Sequence, residues 1–247
     1  MRRVQALLCV ATAIAVCGCQ ATDVDDPPET SHGLKVQHAL GLTKVPGRAK
    51  RPVALYPSEL DDAIALGTAP VGAAGSIPRY LGERARGIRT VGPVADPSLS
   101  GIADLDPDLI LASKQSHKQL YKRLKKIAPT VAIDEAVDWK PNLRQDGEAL
   151  GYSDYAEKLL SDYDQRAAKV RSLVRRHGQL TLPAAVRGAL RRPFVDSILD
   201  DVGVRHPQPR SDLLRGARPD PYDAWTLGIG YIAATEILAD LTRFSAR

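Results

Sequence analysis

The fold is decided by residues 52–72, PVALYPSELDDAIALGTAPVG, which combine three elements in one short stretch. The apolar run Pro52–Tyr56 predicts a buried strand. Ser58 and the acidic residues after it resemble a capping box that opens a helix, and Gly67 is typical of the position just after a helix end. A second apolar run begins at Pro70. The stretch therefore predicts a strand–helix–strand unit.

The same alternation continues along the chain. Turn residues or a helix start follow each of five apolar runs: Pro52–Tyr56, Pro70–Gly72, Ile88–Gly92, Leu109–Ser113 and Thr130–Asp134. Ser116 predicts the start of another helix, which Pro129 ends. The apolar stripe of that helix comprises Leu120, Leu124 and Ile127. Strands that alternate with helices predict an α/β fold with a mostly parallel sheet covered on both faces.

In a sheet of this kind ligands bind beyond the carboxyl ends of the strands. The residues expected there are Tyr56, Ser58, Ser76, Arg79, Tyr80, Lys114, Gln115, His117 and Trp139. Trp225, near the end of the chain, is a further candidate for the wall of a ligand site. For each of these residues a structural role, in a loop or at a helix cap, is the alternative.

Ser153 to His177 has apolar residues at helical spacing and contains neither Gly nor Pro. The pattern predicts one long helix of roughly 35 Å, because each helical residue adds about 1.5 Å. A helix of this length between two α/β segments is suited to act as a rigid connection.

The N-terminus has the features of an exported protein. Arg2 and Arg3 precede an apolar stretch, and all three cysteines of the chain lie among its first 19 residues. We expect residues 1–18 to be a signal peptide. The run before Cys19 resembles the lipobox of bacterial lipoproteins, so Cys19 is the expected lipidated N-terminus, and a plain secretory signal is the alternative. Residues 19–35 would then tether the domain to the outer face of the cell membrane.

Several motifs resemble the ferric-siderophore and cobalamin-type substrate-binding lipoproteins of ABC importers. They are His38–Pro46, Lys50–Leu55, Leu66-Gly67, Pro70–Gly72, Val91-Gly92, Asp96–Leu99, Pro107–Ala112 and Ile127–Val131. Nearer the C-terminus, Phe194–Leu199, Trp225–Ala234 and Leu238–Leu241 are similar to the closing passages of that family.

The resemblance implies two α/β lobes, residues 36–147 and 178–247, joined by a helical segment at residues 148–177. The second lobe is much shorter than the first. The strand patterns that the family would have around residues 181–186 and 210–222 are weak or missing. Ser100 stands where the family usually carries a glutamate that docks on the permease. Residues 93–96 lack the arginine that hydroxamate binders often place there.

Rival functions have weak support. Gly228–Ala233 fits the dinucleotide fingerprint, but only 14 residues follow it, too few for the next strand and the ribose-binding acid. The five histidines have no metal-ligand spacing, and no hydrolase motif is present. The carboxylate pairs Asp61-Asp62 and Asp200-Asp201 are expected on solvated helix faces. The basic run Lys122–Lys126 is expected to complement a helix dipole, with anionic lipid binding as the lesser option.

Composition agrees with a globular binding protein. The 247 residues are 44% hydrophobic and 26% charged, with a net charge of +5. Only two Trp, two Phe and eight Tyr are present, which argues against a base-stacking nucleic-acid platform. We expect a monomeric receptor that binds a ferric siderophore or similar chelate and delivers it to an ABC permease. We expect no enzymatic activity, no cofactor and no metal ion bound directly by side chains. The alternative is a degenerate fragment that acts as an envelope interaction protein.

Overall fold

The computed structural model describes residues 33–177, 193–203 and 230–245. The expected signal peptide, Cys19, Trp225 and the strands expected around residues 181–186 and 210–222 lie outside these ranges. No helix among the described residues is long and apolar enough to cross a membrane.

The described chain opens with an antiparallel hairpin of β1 (Leu34–His38) and β2 (Gly41–Val45). The sequence analysis did not predict this hairpin, and β1 begins within the last two residues of the expected tether. Alternate side chains, including Val36 and Val45, are buried. The hairpin contacts the edge strand of the main sheet, where the Ala39 amide donates to the Ala132 carbonyl.

The main sheet has five parallel strands, as the apolar runs predict. They are β3 (Pro52–Ala54), β4 (Gly72–Ala73), β5 (Arg89–Thr90), β6 (Leu109–Ser113) and β7 (Thr130–Ile133). Their spatial order is β5-β4-β3-β6-β7. Because successive residues of a strand point to opposite faces, Val53 and Ile110 pack into one apolar cluster, and Ala54 and Leu111 pack into another. Both faces of the sheet are therefore covered.

The helices of the first part of the chain are short. They are α1 (Pro57–Ala65), α2 (Leu99–Ala103), α3 (Lys114–His117), α4 (Tyr121–Leu124) and α5 (Trp139–Leu150), with a kinked 3₁₀ segment at Arg79–Ala85. The predicted capping box at Ser58 is wrong: the cap position is Tyr56, two residues earlier, and α1 begins at Pro57. The Ser58 hydroxyl donates to the Glu59 carboxylate at 3.2 Å instead. Gly67 follows the helix end with φ +83°, as predicted.

The single helix predicted from Ser116 is two separate turns, α3 and α4. The Ser113 hydroxyl accepts from the Ser116 amide at 3.0 Å, which fixes the start of the first turn at Lys114. Between the turns, the Leu120 amide bonds the His117 carbonyl, an i to i−3 contact that tightens the backbone and ends the α-helical register.

The long helix is present as predicted, as α6 (Ser153–His177). It packs against α5 and against two later helices, α7 (Pro193–Val202) and α8 (Tyr231–Ser245). Apolar residues of all four helices belong to one buried cluster with one face of the main sheet. The described residues after position 178 are therefore part of the core of the first lobe, and residues that would form an opposing wall fall outside the described ranges.

The N-terminus of α8 is docked on two carboxylates of α1. Asp61 accepts from the amides of Ile232 at 2.6 Å and Ala233 at 3.0 Å, and Asp62 accepts from the Tyr231 amide at 2.8 Å. Both carboxylates are fully buried. The prediction of a solvated face for this pair is wrong, because a helix from the far end of the chain covers it.

This contact also explains part of the Gly-x-Gly-x-x-Ala motif. A Cβ atom at Gly230 would lie 2.5 Å from Oδ1 of Asp62 and 2.7 Å from Oδ1 of Asp61. The glycine therefore lets the helix N-terminus approach acceptor oxygens, as in dinucleotide folds, but the acceptors here are the protein's own two carboxyl groups.

The second carboxylate pair differs from expectation at Asp201. Its carboxylate accepts from the Tyr163 hydroxyl at 2.9 Å and pairs with the Lys140 ammonium at 2.9 Å. These contacts tie α7 to α5 and α6. Asp200, in contrast, is exposed as predicted.

Candidate functional site

The carboxyl ends of all five parallel strands meet at one edge of the sheet. Strand β3 lies at the centre, with β4 and β5 on one side and β6 and β7 on the other. Successive strands are therefore added on one side of β3 and then, from β6 onward, on the other. The position between β3 and β6 is the topological switch point, where ligands bind in open α/β sheets. The loops that flank it contain Tyr56 and Ser58 after β3, and Lys114 and Gln115 after β6.

A polar network joins the loops after β6 and β7. The Lys114 ammonium donates to Asp134 at 2.8 Å, and the Gln115 amide donates to the other oxygen of the same carboxylate at 2.7 Å. The Gln115 side-chain oxygen accepts from the Glu135 amide at 3.1 Å, and the Ser116 hydroxyl donates to the Glu135 carboxylate at 3.0 Å. These bonds hold Lys114 and Gln115 in fixed positions at the edge.

The two carboxyl groups of this network have pKa values shifted in opposite directions. The hydrogen bond from Lys114, with those from the Ala136 amide and from Gln115, lowers the pKa of Asp134 to about 2. Asp134 is therefore ionised at any physiological pH. Burial is the main cause of a raised pKa at Glu135.

The two candidate tyrosines are in contact with the interior of the lobe. Tyr56 is buried, and its burial, with the charges of Glu135 and Glu59, raises the pKa of its hydroxyl. Tyr80 is half-buried, and its hydroxyl hydrogen-bonds the Asp61 carboxylate. Tyr80 therefore connects the rim of the edge to the carboxylates that dock α8.

The exposed side chains of the edge are mostly polar. Ser76, Arg79 and Gln115 are exposed, and Lys114 is half-buried. Val137, in the loop after β7, is 45% exposed and adds an apolar patch. These groups offer a cation, hydrogen-bond donors and acceptors, and a small apolar contact to a ligand. Ser58 lies below this surface and is buried.

His117 and Trp139 have interior roles in the described structure. Nδ1 of His117 accepts from the Ser113 amide at 3.0 Å, so Nε2 carries the proton and donates to the Val94 carbonyl at 2.8 Å. Both ring nitrogens are therefore occupied. Trp139 is 3% exposed, and its ring lies 4.8 Å from that of Tyr163 within the helical layer. Neither side chain contributes to the open surface.

Sequence reasoning missed Asp134, Glu135 and Val137. They directly follow the run Thr130–Ile133, so the rule that placed Lys114 and Gln115 at the edge applies equally to them. The sequence therefore contained the information needed to predict these three residues. Within the described ranges, no group of three or more His, Cys, Asp or Glu side chains is placed to hold a metal ion.

Comparison with known proteins agrees with this architecture. The family model described as "Periplasmic binding protein" matches residues 53–215. The chain belongs to this family. The periplasmic binding proteins are solute-binding proteins, which confirms the prediction that the chain is not an enzyme, and the resemblance noted from the motifs is confirmed as well.

Two curated family members are similar along much of the chain. The probable siderophore-binding lipoprotein YfiY of Bacillus subtilis (strain 168) is 28% identical over 215 residues, 82% of this chain and 66% of YfiY. The achromobactin-binding periplasmic protein of Dickeya dadantii (strain 3937) is 31% identical over 169 residues, 62% of this chain and 55% of that protein. The chain thus spans about half to two-thirds of the length of these relatives.

Solved structures of periplasmic binding proteins confirm the predicted α/β fold with a parallel sheet and a long helix. Staphylococcus aureus SirA, solved with staphyloferrin B, is 26% identical with a TM-score of 0.64, and the match covers 85% of this chain and 82% of SirA. The FhuD protein from S. pseudintermedius has a TM-score of 0.62 at 18% identity, which supports the fold alone.

Proposed function

We propose that the protein is an extracytoplasmic lipoprotein that binds a ferric siderophore or similar metal chelate and delivers it to an ABC importer. The observation that carries the proposal is the fixed polar edge at the switch point, where Lys114 and Gln115 are held by Asp134. The similarity to SirA, solved with staphyloferrin B, supports a chelate as the ligand.

The edge has chemistry suited to such a ligand. A ferric chelate is bulky and presents carboxylate, hydroxamate or catecholate oxygens on its surface. Arg79 is exposed and supplies a cation, and Gln115 supplies an amide at the rim. Groups of this kind bind the outer surface of a chelate without replacing its bonds to iron. Trp225 remains a predicted part of the opposing wall.

The proposal is tested by titrating the purified chain with ferric complexes of a carboxylate, a trihydroxamate and a tricatecholate ligand. We expect at least one class to raise the melting temperature, because a ligand that binds only the folded protein stabilises it. Tryptophan emission should fall saturably, with free tryptophan as the control for light absorbed by the iron complex. No response to any class would overturn the proposal.

Matched variants locate the ligand. Arg79→Ala and Gln115→Ala should raise the Kd at least about tenfold, since each loses a polar contact worth about 1.4 kcal/mol or more. Lys158→Ala, an exposed lysine on α6, is the control and should leave the Kd unchanged. Equal effects of all three variants would place the ligand elsewhere.

The proposed anchor is Cys19. We expect Cys19→Ala to move the protein out of the membrane fraction, or to leave it with an uncleaved leader of higher mass. An unchanged distribution and an unchanged mass would contradict lipidation at this position.

The alternative function is a degenerate fragment that acts as an envelope interaction protein without transport. Ser100 favours it, because this residue is exposed in the first turn of α2 where the family usually carries a glutamate. Under this alternative the chain folds and melts cooperatively, but no chelate shifts the melting temperature. The titration described above therefore separates the two functions.

A further inference from the structure

We propose that the outer face of the β1–β2 hairpin, together with Lys125 directly after α4, binds an anionic phospholipid surface. The basic hairpin face is defined here as the outward side chains Lys35, Lys44 and Leu42, with Lys125 beside the hairpin. It would hold the first lobe against the membrane. The inference depends on the proposed function in one respect: the lipid anchor at Cys19 would keep the domain close to a membrane.

Two segments without acidic residues meet at this hairpin. Residues 33–51 contain five Lys or Arg and no Asp or Glu, and residues 114–133 contain six Lys or Arg and no Asp or Glu. The whole chain has a net charge of only +5, so positive charge is concentrated in these two segments. Such a concentration attracts anionic surfaces.

The fold brings the two segments into contact through Tyr121 of α4. Its hydroxyl lies 3.2 Å from Nε2 of His38 and 3.3 Å from the Thr43 hydroxyl, both in the hairpin. The Lys125 ammonium lies 5.2 Å from the centre of the Tyr121 ring. Lys125 is therefore beside the hairpin, and its charge contributes, after burial, to the lowered pKa of His38.

The hairpin places two like charges directly opposite each other. Lys35 pairs with Lys44 across the strands, and both side chains are exposed. Directly opposed like charges destabilise a hairpin. Among the described parts of the chain, neither lysine has an ion pair. A hairpin that keeps this repulsion has a surface suited to an anionic partner.

The same hairpin also exposes apolar side chains. Leu42 is 54% exposed on the outer face. Leu34 is 41% exposed, but it lies on the opposite side of the hairpin because it pairs with the buried Val45. Leu42 lies two residues before Lys44 in β2, so both side chains point to the same side. Leucine beside lysine is the combination that partitions into the interfacial layer of a membrane, whereas a purely polar ligand would not require Leu42.

The position of the hairpin in the chain favours a lipid surface as the partner. A Cβ atom at Gly33 would lie 2.5 Å from Cε of Lys44, so the chain enters the domain at this face. Gly33 is only 14 positions after Cys19, which limits the distance between them to about 50 Å even in an extended chain. Of the described elements, the hairpin is the nearest along the chain to the proposed anchor.

The test measures vesicle binding of the full chain carrying Cys19→Ala, so that no acyl chain contributes. Vesicles of phosphatidylcholine alone give the baseline, which includes any binding by the apolar residues 6–16. Vesicles with equal parts of phosphatidylcholine and phosphatidylglycerol should bind more protein, and salt should remove the difference. Equal binding to both vesicles would overturn the proposal and favour a protein partner or the chain's own acidic residues 23–29.

Charge reversal identifies the residues. In the same background, Lys35→Glu with Lys44→Glu should lower the partition into mixed vesicles at least about tenfold, because each lysine near an anionic surface contributes roughly fivefold. The double change keeps like charges opposed, so the melting temperature should stay close to that of the parent. Lys158→Glu with Lys169→Glu, on exposed positions of α6, is the control of equal net charge.

An equal loss of binding in the control would mean that only net charge matters and would overturn the assignment. The hairpin variants should bind a ferric chelate as the parent does, since Lys35 and Lys44 are not among the groups of the switch-point edge. Failure of vesicle binding and failure of chelate binding are therefore separate results.

Discussion

Asp146 in α5 is a buried carboxyl group with neither oxygen hydrogen-bonded to any described group. Glu59, Asp61 and Asp62 are also fully buried. Burial raises the pKa of Asp146 to about 8 and that of Asp61 to about 6, and the pKa values of Glu59 and Asp62 are raised as well. Three of these carboxyls lie on α1, whose N-terminus follows the switch point, so their protonation bears on the stability of the whole lobe.

The expected result is a stability that falls as the pH rises. In the unfolded chain an aspartate ionises near pH 4, whereas the pKa of Asp146 in the folded protein is about 8. Between these values the folded protein holds a proton that the unfolded chain has lost, so the free energy of unfolding decreases. One such group gives a slope of about 1.4 kcal/mol per pH unit.

Asp146→Asn should flatten this dependence, because the amide cannot ionise. The variant and the wild type should be similarly stable near pH 5, and the variant should be more stable near pH 8. Urea unfolding at several pH values measures both slopes. Asp104→Asn, at an exposed carboxyl, serves as the control, and a slope that Asp146→Asn leaves unchanged would contradict the assignment.

Helix α8 depends on α1 for its start. Asp61 accepts two backbone hydrogen bonds from α8, whereas Asp62 accepts one and has one oxygen without a partner. We expect Asp61→Ala to lower the free energy of unfolding by about 3 kcal/mol, because two buried amides lose their acceptor. Asp62→Ala should cost at least about 1 kcal/mol less, since it also relieves repulsion within the acidic group.

Denaturant unfolding of the two variants, with helix content followed by circular dichroism, checks this difference. Ser100→Ala, at an exposed position of α2, is the control for a substitution outside the docking contact. A larger loss for Asp62→Ala than for Asp61→Ala would mean that the bond count does not determine how α8 is held.

The elements that depend on local sequence could be predicted, and those that depend on distant packing could not. The strand Leu109–Ser113 has the bounds that the apolar run predicts, and α6 has the bounds that helical spacing predicts. The acidic residues Asp61 and Asp62 were expected in solvent because their partner lies about 170 positions away. Local periodicity contains no information about which late helix covers an early one.

At the site, topology predicted the edge but not the depth of each side chain. Lys114 and Gln115 lie at the open edge because they directly follow β6. Trp139 was expected in the ligand site, yet it is the first residue of α5 and points into the helical layer beside Tyr163. The order of strands fixes which loops meet, whereas the face that a helix buries depends on its neighbours.

On the scale of the whole molecule, the C-terminal end of the chain completes the first lobe. In α8, Ile237, Leu238 and Leu241 are each at most 1% exposed and belong to the cluster that includes one face of the sheet. The lobe is therefore closed by residues that lie beyond the long helix. A chain cut after α6 would lose this cover.

We expect a chain that ends at Gly230 to be unstable. Removing α8 exposes the apolar surface of α1 and α6 that it covers, and Asp61 and Asp62 lose their backbone donors. Each fully buried leucine or isoleucine contributes about 1.5–3 kcal/mol, so the three named residues alone account for much of a typical domain stability. Limited proteolysis and thermal unfolding should show a chain that is degraded or lacks a cooperative transition.

A chain cut within the expected tether, to begin at residue 30, is the matched control and should melt as the parent does. A cooperative, parent-like transition in the chain without α8 would mean that the first lobe folds on its own and that the docking of α8 is incidental to it.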